Sequence, residues 1–154
     1  MSADVKVVAD YIHATTFAVL ATIDQDGPVQ RTIASFGNVG TTVYFATRND
    51  TRKVAHIAAR PSVSLLLQQE GQALEKFVNV AIRGKAVQLA QDNAITEAVE
   101  IIGRHSSRFR DRIAADGTTG QAFFRIDPDE VRLLDFARGS GPAAVSVVES
   151  HHAA

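Results

Sequence analysis

Two runs of this chain, residues 17–23 (FAVLATI) and 62–67 (SVSLLL), are apolar on both faces of what read as extended strands. A sheet curled around one interior covers only one face of a strand. The other face then needs a second apolar surface. The punctuation around these runs narrows the fold further. Asp24-Gln25-Asp26-Gly27-Pro28 is a turn with Asp-Gly at its heart, and residues 29–36 return as a second strand, which makes a hairpin. Gly37-Asn38-Val39-Gly40 turns the chain into a third strand over 41–47, and residues 62–68 form a fourth. Residues 77–89 make a long strand, with a bulge or sharp coil expected at Gly84. Residues 122–126 and 131–136 close the set, separated by Asp127-Pro128-Asp129.

Helical periodicity appears in three places. Val5, Val8, Ala9 and Ile12 share a face over residues 3–13. A second helix starts at Thr51 and stops at Pro61, because the residue before proline is pushed out of helical geometry. Asp92 caps a third, carrying Ile95, Ala98, Val99 and Ile102, which weakens at Ser106-Ser107. Strands that cluster as hairpins, without regular alternation with helices, predict a mostly β (α+β) antiparallel barrel with a few packed helices. One domain is expected over residues 1–138, followed by a small, polar and mobile tail over 139–154.

Composition removes several function classes. Lys+Arg 16 against Asp+Glu 17 leaves a net charge of −1, without the basic excess of a broad nucleic-acid footprint. The chain has no cysteine, which excludes disulfides, thiolate metal sites and cysteine nucleophiles. No apolar stretch reaches the length of a membrane span, and the expectation is a soluble cytoplasmic protein without a membrane or nucleic-acid partner.

The chemically telling window is YFATRNDTRKVAHI, residues 44–57. An apolar strand ends in Thr47, a polar turn follows, and Thr51-Arg52-Lys53 opens a helix. Backbone N–H groups of a first helical turn lack intrahelical partners, and the helix dipole favours an anion there. Two hydroxyls and two cations at such a point suit a phosphate. Acidic residues would be preferred in that turn for stability alone, and adjacent cations run against that preference. A solvated Arg-Lys pair with Thr51 as a simple N-cap is the competing reading, and this window alone leaves both open. His56 reads as a surface or packing histidine. His105 with Arg104, Arg108 and Arg110 reads as a solvated helix C-terminus. His151-His152 has no partner ligands at metal spacing, and Gly139-Ser140-Gly141 marks flexibility.

Taken in order, FAVLATIDQDGPVQRTIASF, VYFATRNDTRKVAHIAARPSVSLLL and VNVAIRGKAVQL resemble the pyridoxamine 5′-phosphate oxidase-like, FMN-binding split-barrel family. The second segment is the most specific, and together they span about residues 15 to 90. The resemblance implies a split barrel, FMN as cofactor, and a homodimer with flavin at the subunit interface. It implies that Arg31, Thr32, Ile33, Ala34, Ser35 and Phe36 form the flavin-lining segment. Ala46 and Thr47 match the strand end at the ribityl-phosphate, and Thr51, Arg52 and Lys53 match the phosphate-binding helix start. Asn79 stands where the oxidase has a glutamine reaching the flavin from the partner subunit.

Three departures bear on the substrate. Phe36 stands where the oxidase has lysine, no Arg-x-His pair follows Phe136, and the chain has no Trp. The cofactor half of the site matches and the vitamin-substrate half does not. The resemblance therefore implies an FMN-dependent oxidoreductase of an unnamed small-molecule substrate, with a nicotinamide cofactor as a further candidate reactant. A deazaflavin or haem protein of the same fold, or a non-catalytic flavin-binding or flavin-storing protein, are the alternatives. No metal site and no catalytic side chain are identified.

Overall fold

The computed structural model describes residues 3–150. The end of the expected tail, 151–154, with His151-His152, lies outside the described residues.

β1 (Ala18–Asp24) and β2 (Gly27–Ile33) form the expected hairpin, in register from Ala18 opposite Ile33 to Asp24 opposite Gly27. Its turn is built locally. The Asp24 carboxylate accepts from the N–H groups of Asp26 and Gly27 at 2.7 and 3.1 Å, the usual way an Asx side chain organises a turn. Gly27 takes φ 133°, a value side chains disfavour. β3 (Phe36–Val39) and β4 (Thr42–Arg48) follow as a second hairpin. The turn expected over residues 37–40 therefore sits further on, at Gly40-Thr41. Phe36 faces Phe45 across the pair and both are fully buried, so core packing draws residues 36–39 into the sheet.

α2 (Arg52–Ala59), β5 (Ser62–Gln68) and β6 (Val78–Gln88) follow the sequence reading closely. The end of the chain departs from it. Asp92 lies just inside α3 (Asp92–His105), whose N-cap is Gln91. Ser106 then ends α3 and starts α4 (Ser107–Asp116), its hydroxyl accepting from Phe109 N–H at 3.2 Å. The two last strands expected are one, β7 (Gln121–Asp135), running through Asp127-Pro128-Asp129. A register shift between Arg83 and Gly84 absorbs the proline, which faces Gly84. The approach there is so close that a Cβ on Gly84 would collide with the Asp127 carbonyl oxygen.

The mobile tail expected after Arg138 is also corrected. Val145–Ser150 forms β8, paired antiparallel with β7. Thr41 donates to Glu149 at 2.8 Å, and Ala144 is fully buried. The long edge of β7 offers unpaired backbone groups, and pairing with them orders a segment whose composition alone reads as loose.

The strand order is β2-β1-β5-β6-β7-β4-β3, with antiparallel pairing throughout and β8 beside β7. The two end strands are consecutive in the chain, joined through Ala34 and Ser35, so the sheet curls into a split barrel. Inward residues Leu20, Leu65, Leu67, Ile82, Phe45 and Phe124 fill it, with the Phe45 and Phe124 rings stacked at 4.9 Å. α1 (Ala3–Ala14) contributes Val8 and Ile12 to the core, and Tyr11 Oη donates to the Val78 carbonyl at 2.7 Å. A smaller cluster of Ala46, Ala98, Ile102, Phe109 and Phe123 fixes α3 and α4 against the sheet.

Candidate functional site

Among the described residues β2 is an end strand with β1 as its strand partner, and no described strand pairs with the backbone N–H and C=O groups of its other edge. The other end strand, β3, is packed by α3 and α1. The hairpin register sets the faces. Arg31 lies opposite Leu20 and shares its inward face, while Thr32 lies opposite Val19 and points outward. α2 packs against β1 on the inward side, anchored by buried Ile57.

Arg31, Arg52 and Lys53 therefore converge from a strand and a helix. Burial first, and the Arg31 charge second, push the Lys53 ammonium below the usual lysine range. Burial and then Arg52 do the same to Arg31. Depressions of this kind arise where like charges are held together partly out of water. Among the described residues, Asp24 is the carboxylate within ion-pair reach of the cluster, 3.7 Å from the exposed Arg52 guanidinium. Its own acidity is raised first by the Asp26 N–H, with smaller help from His56 and Arg52. Arg48 is committed elsewhere, in a two-point pair with Asp50 at 3.1 and 2.7 Å.

Thr51 occupies the N-cap position of α2 with extended φ −85° and ψ 154°, yet its side chain makes no cap bond. Its hydroxyl donates to the Arg48 carbonyl at 3.0 Å and lies 3.3 Å from the Thr47 hydroxyl. The first turn of α2 thus keeps its anion-binding N–H groups free of a side-chain cap, beside two hydroxyls. Thr47 and Ala46 are nearly buried at the end of β4, which fixes one side of this corner.

The flavin-lining residues expected from the sequence divide in two. Thr32 and Ala34 are exposed and Ser35 is partly so. Ile33 and Phe36 point into the core and have only backbone to offer a ligand. The Ser35 carbonyl is already used by Ala46 N–H at 3.0 Å. Asn79, expected to act from the partner subunit, lies away from the cluster of its own chain. It lies on β6 opposite Gln68, whose side-chain oxygen accepts from it at 3.3 Å. Alternation puts it on the outward face with Ala81, whereas Arg31 faces inward.

Sequence reasoning missed Thr22 and gave two histidines a lesser place. Thr22 is fully buried and polar within an otherwise apolar strand; its hydroxyl accepts from Arg31 Nη1 at 2.6 Å. Its position was the available signal, because an inward threonine in a core strand has to find a partner. His56, read as a surface or packing residue, places Nδ1 2.9 Å from the Thr22 hydroxyl and 3.5 Å from Arg31 Nη2. His105, read as a solvated helix end, packs its ring 4.2 Å from that of Phe36 and bonds the Thr15 carbonyl through Nε2 at 2.6 Å. It borders a cleft of about 430 Å³ that also includes Ala34, Phe17 and Arg108.

Among the described residues, no helix is long and apolar enough to cross a membrane. No group of three or more His, Asp or Glu side chains among them is arranged to hold a metal. A family model described as pyridoxamine 5′-phosphate oxidase matches residues 5–135. No curated protein matches the chain. Among solved structures, the chain is similar to the conserved hypothetical protein Rv2991 from Mycobacterium tuberculosis, at 20% identity and TM-score 0.73, covering 89% of this chain and 86% of that one. It is also similar to a haem-binding protein from Mycobacterium smegmatis, at 12% identity and TM-score 0.76, over 96% of this chain and 58% of the other. A third similar structure is HutZ, the haem storage protein from Vibrio cholerae, at 16% identity and TM-score 0.67, over 82% and 91%. At these identities the likeness establishes the fold.

Proposed function

Because the chain belongs to the pyridoxamine 5′-phosphate oxidase family over residues 5–135, we propose that it is an FMN-binding oxidoreductase acting on a small molecule other than pyridoxamine 5′-phosphate. The observation that carries the reading is the cationic corner of Arg31, Arg52 and Lys53 at an uncapped helix start, opposed among the described residues by Asp24. Such a corner is costly in the free protein and is relieved by an anion. A phosphomonoester carries about −1.5 to −2 charges near neutral pH and accepts charge-assisted bonds from Arg and Lys.

In this reading Arg31, Arg52 and Lys53 bind the phosphate, supported by the hydroxyls of Thr47 and Thr51. The open edge of β2 and the Ala34-Ser35 connection orient the ring system through backbone groups. When bound, FMN supplies the hydride or electron transfer, and the protein supplies position and electrostatics. A second reactant enters the cleft beside Ala34. Phe36 stands where the oxidase has a cation, and its side chain is fully buried, which supports a different substrate.

The proposed assembly is a homodimer with each flavin site built from both chains. Val19 and Leu66 are paired across β1 and β5, and Leu66 is paired with Ala81 across β5 and β6. All three face outward and are only half-buried, as a partner surface would require. Asn79 shares that face.

The test is an absorption spectrum of the purified protein, mass identification of released ligand, and binding of FMN against riboflavin. Stoichiometric FMN and a clear preference for it over riboflavin are expected, with turnover of NADH or NADPH and an acceptor distinguishing an enzyme from a storage protein. A haem spectrum, or equal affinities for FMN and riboflavin, would overturn the reading.

A further inference from the structure

Arg31 is held by an arrangement more elaborate than a salt bridge. Its Nη1 donates to the Thr22 hydroxyl at 2.6 Å, the Val29 carbonyl at 3.1 Å and the Leu20 carbonyl at 3.2 Å. These acceptors absorb both Nη1 hydrogens. Nη2 faces His56 Nδ1 at 3.5 Å, on the side where Thr22 already lies 2.9 Å from that nitrogen.

The guanidinium fixes the direction of the bonds it makes. Arg31 can only donate. The Thr22 oxygen therefore accepts from Arg31, and its hydroxyl hydrogen is available for His56. Where Arg31 Nη2 bonds His56, Nδ1 is the acceptor, because a guanidinium has no lone pair to offer. Among the described residues, Nε and the second hydrogen of Nη2 have no acceptor. The network thus immobilises one edge of the guanidinium and leaves another for a ligand.

We propose that Thr22 and His56 are positioning residues that hold the Arg31 guanidinium for the cofactor phosphate, making a buried threonine on β1 a determinant of phosphorylated over unphosphorylated flavin. This rests on the FMN reading above and assigns selectivity within it to residues that need not touch the ligand. The energetic logic is pre-organisation. An arginine free to sample its rotamers loses that freedom on binding, whereas one already fixed by buried partners does not.

The test compares FMN and riboflavin binding by flavin fluorescence quenching in the full chain, with thermal melting as a fold control. Thr22→Val keeps the shape and removes the hydroxyl. It should weaken FMN about three- to tenfold, a partial loss of pre-organisation because the Leu20 and Val29 carbonyls still hold Nη1, and leave riboflavin unchanged. Thr22→Ser should restore FMN affinity. His56→Asn, which can place an acceptor near the Nδ1 position, should retain it, and His56→Leu should lower it. In an Arg31→Ala background, Thr22→Val should cost nothing further, because the residue it positions is gone.

Equal losses for FMN and riboflavin would mark Thr22 as merely structural and overturn the inference, as would an unchanged FMN affinity or an undiminished loss in the Arg31→Ala background. Wild-type protein that does not prefer FMN over riboflavin would instead refute the cofactor reading, and the inference with it. The first measurement therefore separates the two failures.

Discussion

Replacing Lys53 by methionine should move stability and cofactor affinity in opposite directions. In the ligand-free protein Lys53 is half-buried beside Arg31, and both burial and that charge depress its pKa. A lysine with a lowered folded-state pKa binds its proton less well folded than unfolded. At neutral pH it is charged in both states, so the full penalty opposes folding. That penalty is relieved only as pH rises through the folded-state pKa toward the ordinary value of 10.5. Lys53→Met keeps most of the apolar stem and removes the charge. The flavin-free variant should melt at the wild-type temperature or above it.

Its FMN affinity should fall roughly tenfold to hundredfold, from the loss of one charge-assisted bond worth about 1.5–3 kcal/mol. The mostly exposed Arg52 should matter less, since solvent screens its charge and Asp24 shares it. Melting curves with and without ligand read both effects. FMN at a hundred times its Kd adds about 2.7 kcal/mol, worth roughly 5 to 11 °C in a chain of this size. The same concentration should give Lys53→Met a clearly smaller shift. A variant that loses stability without ligand, or keeps the full FMN shift, would refute the placement of Lys53 in a strained anion site.

Asp24 tests the hairpin that carries Arg31. Its carboxyl is held below the usual range, chiefly by the Asp26 N–H, so its contribution is present above the ordinary pKa of 3.8 and lost as pH falls through the lower folded value. Asp24→Ala should lower the melting temperature at pH 7 and flatten its fall below pH 4, as followed by circular dichroism. Gly84→Ala should destabilise by about 1–3 kcal/mol, because its Cβ meets the Asp127 carbonyl across the bulge; urea unfolding that matches wild type would disprove that contact. Mixing Asn79→Ala with Arg52→Ala protein under subunit exchange should regenerate a tight FMN-binding fraction if the sites are shared between chains, and no such fraction would argue for sites within single chains. Light scattering should give a dimer at micromolar concentration.

Local chemistry wrote much of this protein directly into its sequence. The Asp24–Gly27 turn, the stop before Pro61, the strand Ser62–Gln68 and the glycine at the β6 bulge each depend on residues adjacent in the chain, whose backbone preferences hold in any context. The Thr51-Arg52-Lys53 helix start was legible for the same reason, as was the family, from the order of these local signals. Tertiary structure decided what depends on partners distant in sequence. β8 is ordered only because β7 offers it an edge, and the proline at 128 sits inside a strand only because Gly84 lies opposite. Thr22 and His56 are 34 residues apart and meet only when α2 folds back onto β1. His105 is withdrawn from solvent by Thr15, 90 residues earlier. Whether Asn79 and Arg31 share a face was a matter of strand register, which a one-residue slip reverses. A side chain's type sets the bonds it can make, and the fold decides which of them water no longer makes for it.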